Sequence, residues 1–315
     1  MENRRKRIHF DLETDGFYGA YLQSGEPSGC AVIALAGDAP EDYLAKACAK
    51  WFLGKGVNVL SMSTAKKDCG YHNYPLERIE AAICRLQSMG NRKTGIAGVS
   101  TTGTMALSAA SYFQDITLTI ALTPTDFIWQ GVMQGRRDGC KEWPAEGESL
   151  LSYRGEPLPY MPFVCQHPQY WRSVAAESRR TGDMIYARKL YEDSEAAHSI
   201  TEAEIIKVED IHGKLLLIGA EDDVLWNTAK YIRRMEKRLA EKPHDCEVEA
   251  VVYEHGTHFV FPEGMMKLLL PIGSALAVRL AFKAAGAYPK ECRATRMDID
   301  RRITRTIAEW RKECV

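Results

Sequence analysis

Thr94-Gly95-Ile96-Ala97-Gly98-Val99-Ser100-Thr101-Thr102-Gly103 is the stretch that decides the fold. Its first six residues are short in run, largely apolar and β-branched at three positions, the pattern of a strand buried on both faces. Thr104 to Phe113 then places Met, Ala and Leu at helical spacing. Ser100 therefore falls on a sharp turn from strand into helix, which exposes its hydroxyl and aims the positive end of the new helix at it.

Such a turn matches the nucleophile elbow of the α/β-hydrolases, whose pattern is G-x-S-x-G. This chain has Gly98-Val99-Ser100-Thr101-Thr102, with the second glycine one place late at Gly103. A small residue two after the serine lets helix and strand approach closely, so Thr102 calls for a slightly wider turn. The backbone N–H of Thr101 and the helix N-terminus would stabilise an oxyanion formed at Ser100.

A serine of this kind needs a base and an acid, in the chain order Ser, Asp or Glu, His. Lys214-Leu215-Leu216-Leu217-Ile218-Gly219-Ala220 reads as a doubly covered parallel strand and runs into Glu221-Asp222-Asp223-Val224-Leu225-Trp226. Acids at the carboxyl end of such a strand stand where open α/β sheets bind ligands. The next strand, Glu247 to Tyr253, leads into Glu254-His255-Gly256-Thr257-His258. His258 is the expected base; His255, nearer the strand, is the alternative. Asp222 and Asp223 are both candidates for the acid, with the other capping the following helix; spacing from Gly219 favours Asp222.

The 315 residues are 45% hydrophobic and 26% charged, with a formal net charge of −1. That is a globular composition, and its near-neutral charge argues against nucleic-acid or membrane-surface binding. No stretch has signal or membrane length, which predicts a cytoplasmic protein with no membrane insertion. Nine scattered cysteines with no C-x-x-C pair fit reduced thiols better than disulfides or zinc. His198, His212 and the acidic runs lack ligand spacing, so no metal is expected, and no phosphate-binding glycine loop implies a cofactor.

Outward from the elbow, the pattern alternates. Residues 7–13 and 17–23 read as a hairpin around Asp15-Gly16, followed by strands at Cys30–Ala36 and Val57–Met62, helices at Glu41–Leu53 and Pro75–Met89, and a strand at Ile116–Leu122. Helices are expected at 226–241, 264–285 and 298–313, the last placing Ile299, Ile303, Ile307 and Trp310 on one face. This predicts an α/β fold, an α/β-hydrolase with a mostly parallel sheet covered by helices on both faces. Residues 1–127 and 209–315 form the core. Residues 128–208, with Trp129, Trp143 and Trp171, several prolines and many charges, break the rhythm and are expected to form a helical lid or cap.

Four segments resemble the C-terminal catalytic domain of the acyl-CoA thioesterase and bile acid-CoA:amino acid N-acyltransferase family. They are Pro75 to Ala82, Gly95 to Ser100, Pro124-Thr125-Asp126-Phe127-Ile128-Trp129-Gln130-Gly131, and Ile205 to Trp226 with its D-D-x-x-W pattern. The resemblance covers about residues 25–285, by motifs. It implies a Ser or Cys nucleophile, an Asp and a His, carried here by Ser100, Asp223 (anchored on Trp226) and His258. Thioesterase members have Ser where the amino acid transferases have Cys, so Ser100 implies hydrolysis. The family's accessory N-terminal β-sandwich is expected to be absent. Its residues after the nucleophile, Lys, Gly and a small residue, are here Thr101, Thr102 and Gly103. Its glycine-rich oxyanion loop is reduced to Ala36-Gly37-Asp38-Ala39-Pro40, which makes the N–H of Asp38 or Ala39 the second oxyanion donor.

The leading expectation is a serine hydrolase of a small-molecule acyl ester or thioester. Two alternatives stand beside it: an acyltransferase that passes the acyl group to an amine, and a non-catalytic binding protein on the same fold. A homo-oligomer is possible, and nucleic acid is not an expected partner.

Overall fold

A strand covered by helices on both faces must be apolar at successive positions, and the centre of this sheet meets that demand. The structure, a computed structural model, describes residues 7–25, 28–37, 39–64, 71–137 and 140–312. The chain begins with β1 (Arg7–Phe10) and β2 (Gly19–Leu22), an antiparallel pair joined by one helical turn, α1 (Leu12–Asp15). Asp11 caps α1 and Gly16, at φ 80°, ends it. The expected hairpin is therefore present, with a helical turn at its tip.

Strands and helices then alternate: β3 (Cys30–Leu35), α2 (Tyr43–Leu53), β4 (Asn58–Met62), the two-residue β5 (Tyr74–Pro75), α3 (Glu77–Ser88), β6 (Lys93–Val99), α4 (Thr101–Tyr112) and β7 (Ile116–Leu122). After an insertion come β12 (Lys214–Ala220), α7 (Thr228–Glu241) and β13 (Glu247–Tyr253). The insertion itself supplies β8 (Gln130–Arg137), β9 (Cys140–Ser149), β10 (Leu151–Tyr153), β11 (Glu156–Pro157), α5 (Gln169–Thr181) and α6 (Arg188–Ala197). The chain closes with α8 (Glu263–Leu269), α9 (Ser274–Ala281), α10 (Lys283–Ala287) and α11 (Pro289–Lys312).

The eight-stranded sheet has the order β1-β2-β4-β3-β6-β7-β12-β13, and the six strands from β4 to β13 are parallel. Alternate residues feed two cores. Ile33, Ile96 and Leu217 pack with Ile79, Met105 and Ile232 of α3, α4 and α7 on one face. Val32, Ile120 and Ile218 pack with Trp51, Met265 and Ile303 of α2, α8 and α11 on the other. Ile299, Ile303, Ile307 and Trp310 are all buried, so the docking face expected for the tail is the one that docks.

The insertion, expected to be helical over 128–208, is helical only in its second half, in α5 and α6. Its first half is an antiparallel β8–β9 ribbon with register shifts between Gln130 and Val132 and between Gln134 and Arg137. Those shifts break the two-residue alternation that would otherwise have marked the strands. The helix expected over 264–285 is three short helices. Gly273, at φ 86°, follows Pro271 at the first break, and Phe282 is extended at the second.

Candidate active site

Ser100 sits at φ 59°, ψ −129°, a conformation that costs an L-residue on the order of 1–3 kcal/mol. Its N–H donates to the Leu122 carbonyl at 2.8 Å, and its own carbonyl accepts from Thr104 N–H at 3.1 Å as α4 begins. Close approach is secured by glycines on both sides of the turn. A Cβ on Gly98 would lie 2.0 Å from the Thr102 carbonyl oxygen, and one on Gly103 would lie 2.8 Å from the Leu122 carbonyl oxygen. The late glycine thus lets α4 press against β7.

Thr102 is buried and makes its own use of the position. Its Oγ1 accepts from Val99 N–H at 3.0 Å and lies 2.8 Å from the Leu35 carbonyl oxygen, its acceptor on the neighbouring strand. The side chain ties β3 to the elbow. Thr101, half-buried, is the first residue of α4, which has no side-chain cap from Ser100. Asp38 lies outside the described residues. The N–H of Ala39, the other candidate donor, is turned to the Asp42 carboxylate at 3.2 Å, which also caps α2.

Asp222 and Asp223 follow β12 and face different partners. His258 Nδ1 lies 2.9 and 3.0 Å from the two Asp223 carboxylate oxygens. Asp223 is wholly buried and also accepts from Leu225 N–H and from the Thr228 hydroxyl, so its charge is held by several donors. Asp222 Oδ1 accepts from Gly256 N–H at 3.0 Å and Thr257 N–H at 2.7 Å. It pins the loop that carries His258, whose backbone is strained at Thr257 (φ 58°). His255 turns away: its ring stacks on Tyr288 at 3.8 Å, with Nδ1 3.4 Å from Asp222 Oδ2.

His258 is 2% exposed, and its Nε2 is buried with no hydrogen-bond partner among the described residues. The Trp226 and His258 rings meet in a T-shaped contact, with centroids 5.0 Å apart and planes at 90°. The Trp226 indole N–H donates to the Thr123 carbonyl at 3.0 Å, which fixes the ring that backs the imidazole. Trp226 and Ser100 line the same cavity, of about 290 Å³. Its floor is the elbow, and Tyr170, Trp171 and Tyr191 from the insertion wall it. Burial pushes the phenols of Tyr170 and Tyr191 up, so both stay neutral.

Two features of this site were not singled out from the sequence. Thr228, two residues after Trp226, extends the D-D-x-x-W pattern into D-D-x-x-W-x-T, and its hydroxyl donates to Asp223. Asp126, in the Pro124–Gly131 segment, pairs with Arg234 of α7, which also binds Glu195 of α6 at 2.9 Å. That network ties the insertion to the core. Burial, outweighing Arg234, pushes the Asp126 carboxyl up to about 6. Among the described residues, no three His, Cys, Asp or Glu side chains group as a metal ion would require.

The model of the family described as BAAT / Acyl-CoA thioester hydrolase C terminal matches residues 75–264. The chain belongs to this family. The matched span contains Ser100, Asp223 and His258 and stops at Gly264, short of α9, α10 and α11. This BAAT / acyl-CoA thioester hydrolase family chain is also similar to a putative dienelactone hydrolase from Klebsiella pneumoniae subsp. pneumoniae MGH 78578. The identity is 8%, over 97% of this chain and 99% of that one, with a TM-score of 0.53. It is similar as well to the Pyrococcus furiosus esterase Pf2001, at 12% identity over 90% of this chain and 91% of that one, with a TM-score of 0.47. At such identities these likenesses bear on the fold alone, and the first supports the α/β-hydrolase assignment. No curated protein matches the chain.

Proposed function

We propose that this protein is a serine hydrolase that cleaves a small-molecule acyl ester or thioester through an acyl-enzyme. Ser100 Oγ attacks the acyl carbonyl while His258 Nε2 takes its proton. Asp223 holds the Nδ1–H tautomer and stabilises the imidazolium. The Thr101 N–H, at the start of α4, and the N–H of Asp38 receive the oxyanion. His258 then returns the proton to the departing alcohol or thiolate. Water, deprotonated by the same nitrogen, attacks the acyl-enzyme, and Ser100 recovers its proton as the acid leaves.

One observation carries this reading: a buried His258–Asp223 pair whose other imidazole nitrogen has no partner among the described residues, in a chain of a thioester hydrolase family. Residues 128–208 act as the lid, since their aromatic side chains wall the cavity over Ser100 and exclude water. The serine in place of cysteine favours water over an amine as acyl acceptor.

A panel of p-nitrophenyl esters and acyl-CoAs, given to the wild type and to Ser100→Ala, tests the proposal. The variant is expected to lose at least about 10³-fold in kcat/KM and to lose fluorophosphonate labelling. Equal rates in the two proteins, or labelling that survives the substitution, would overturn it. Added amino acids should give no amide product.

A further inference from the structure

The helix α9 turns its apolar side outward. Leu276 and Leu280, one turn apart on a single face, are 57% and 75% exposed, and Ile272 just before the helix is 94% exposed. Met184, 66% exposed, adjoins them, because its N–H donates to the Ala281 carbonyl at 2.9 Å. Four large aliphatic side chains grouped in this way are a binding surface in search of a partner rather than scattered exposure.

Charge indicates the partner. From Gly264 to Lys290 the chain carries Lys267, Arg279, Lys283 and Lys290 and no acid. Arg279 and Lys283 are exposed, and none of the four basic residues forms an ion pair among the described residues. Some exposed arginines elsewhere are paired, as Arg305 is with Glu249 and Arg233 with Glu221, whereas Arg154, Arg172 and Arg179, like Arg279, form no ion pair among the described residues. On the insertion side Asp183 is buried and accepts from Lys283 N–H; of the two acids that flank the run in sequence, Glu263 pairs with Arg296 and Glu291 is exposed. An apolar ridge with an unpaired basic rim is the pattern of a helix that lies in the plane of an anionic lipid interface.

We propose that Ile272, Leu276, Leu280 and Met184 dock this protein on an anionic lipid surface, with Arg279 and Lys283 reaching the headgroups. A second copy of the chain fits the patch less well. A two-fold contact would bring two like-charged basic rims together, and the ridge is aliphatic, without the aromatic anchors that specific protein interfaces favour. The surface also adjoins the cavity through one residue, since Ile185, next to Met184, lines it. If the Proposed function holds, docking brings the cavity to a source of acyl lipids.

Flotation of the full chain with vesicles tests this, using phosphatidylcholine alone and phosphatidylcholine mixed with phosphatidylserine. Wild type is expected to partition at least about tenfold more onto the anionic vesicles and to be released as salt rises. Ile272→Ser/Leu276→Ser/Leu280→Ser should lose at least about tenfold of that binding. Arg279→Glu/Lys283→Glu should lose the preference for phosphatidylserine. Melting temperature reports folding, and Leu280→Ser alone substitutes if the triple variant melts early. The proposal is overturned if wild type floats with neither vesicle, or if the variants float like wild type. It is equally overturned if light scattering finds a wild-type dimer, dissociated by the triple substitution, that ignores vesicles. Flotation does not depend on ester cleavage, so its failure is separate from failure of the serine mechanism.

Discussion

Asp222 and Asp223 are neighbours in sequence with nearly opposite duties. Spacing from Gly219 favoured Asp222 and the resemblance favoured Asp223; both acids fall just past the carboxyl end of β12, so spacing alone pointed to the wrong partner of His258. What separates them is the turn at Glu221–Asp222 that follows β12, which aims the two carboxylates at different partners. Asp223 thereby meets His258 Nδ1, and Asp222 meets the Gly256 and Thr257 amides. Asp223→Asn is expected to lower kcat by about 10⁴-fold, because the amide presents the wrong hydrogen-bonding partner to the imidazole. Asp222→Ala should cost about 1–3 kcal/mol in stability, from two loop amides left unmet, and a smaller share of kcat. Equal kcat losses in the two variants would refute the division of roles. Thr102 was likewise legible as a departure from the elbow pattern but not as a clamp. Its hydrogen bond to Leu35 reaches a strand 67 residues away, which no local motif records.

At the scale of elements, the parallel strands were readable because burial on both faces demands unbroken apolar runs. The β8–β9 ribbon was not, because its register shifts scramble the alternation. The three-part division of residues 263–287 was partly visible in Pro271 and Gly273. The join between the insertion and the core depends on Asp126, Arg234 and Glu195, which lie on three elements distant in sequence. Asp126 gives that join a pH dependence. Its folded pKa, about 6, lies above the ordinary 3.8. Its contribution to stability is therefore complete below about pH 4 and is lost as pH rises to about 6. The size is on the order of 2–3 kcal/mol, because each tenfold gain in proton affinity on folding is worth about 1.4 kcal/mol. Melting of Asp126→Asn beside wild type should show the loss across this window in wild type alone. Parallel curves would mean that Asp126 titrates as an ordinary aspartate.

Over the whole molecule, the composition pointed to a globular protein and away from membrane surfaces, and the alternation of strands and helices to an α/β fold. The net charge of −1 hides a local run of four cations with no acid, because acids elsewhere in the chain cancel them. None of the described helices is long and apolar enough to cross a membrane, which leaves a surface-bound pose open. The proposed site is drawn from positions 100, 223 and 258, which only the assembled sheet brings to one edge. The strands that carry these positions are not equally secure. All seven residues of β12 are buried, whereas β13 is the outer strand, with six half-buried residues and one exposed. It is held from outside by Glu249 with Arg302 and Arg305, and by Tyr253 with Asp298. The proposed base is thus mounted beyond an edge strand less buried than β12, while the proposed nucleophile rides a central strand. Partial opening at that edge would separate the two without melting the rest. In a urea titration, ester hydrolysis should therefore fail at concentrations where tryptophan fluorescence still reports an intact core, and removing the urea should restore it. Loss of both signals at one midpoint would show instead that the edge unfolds only with the whole.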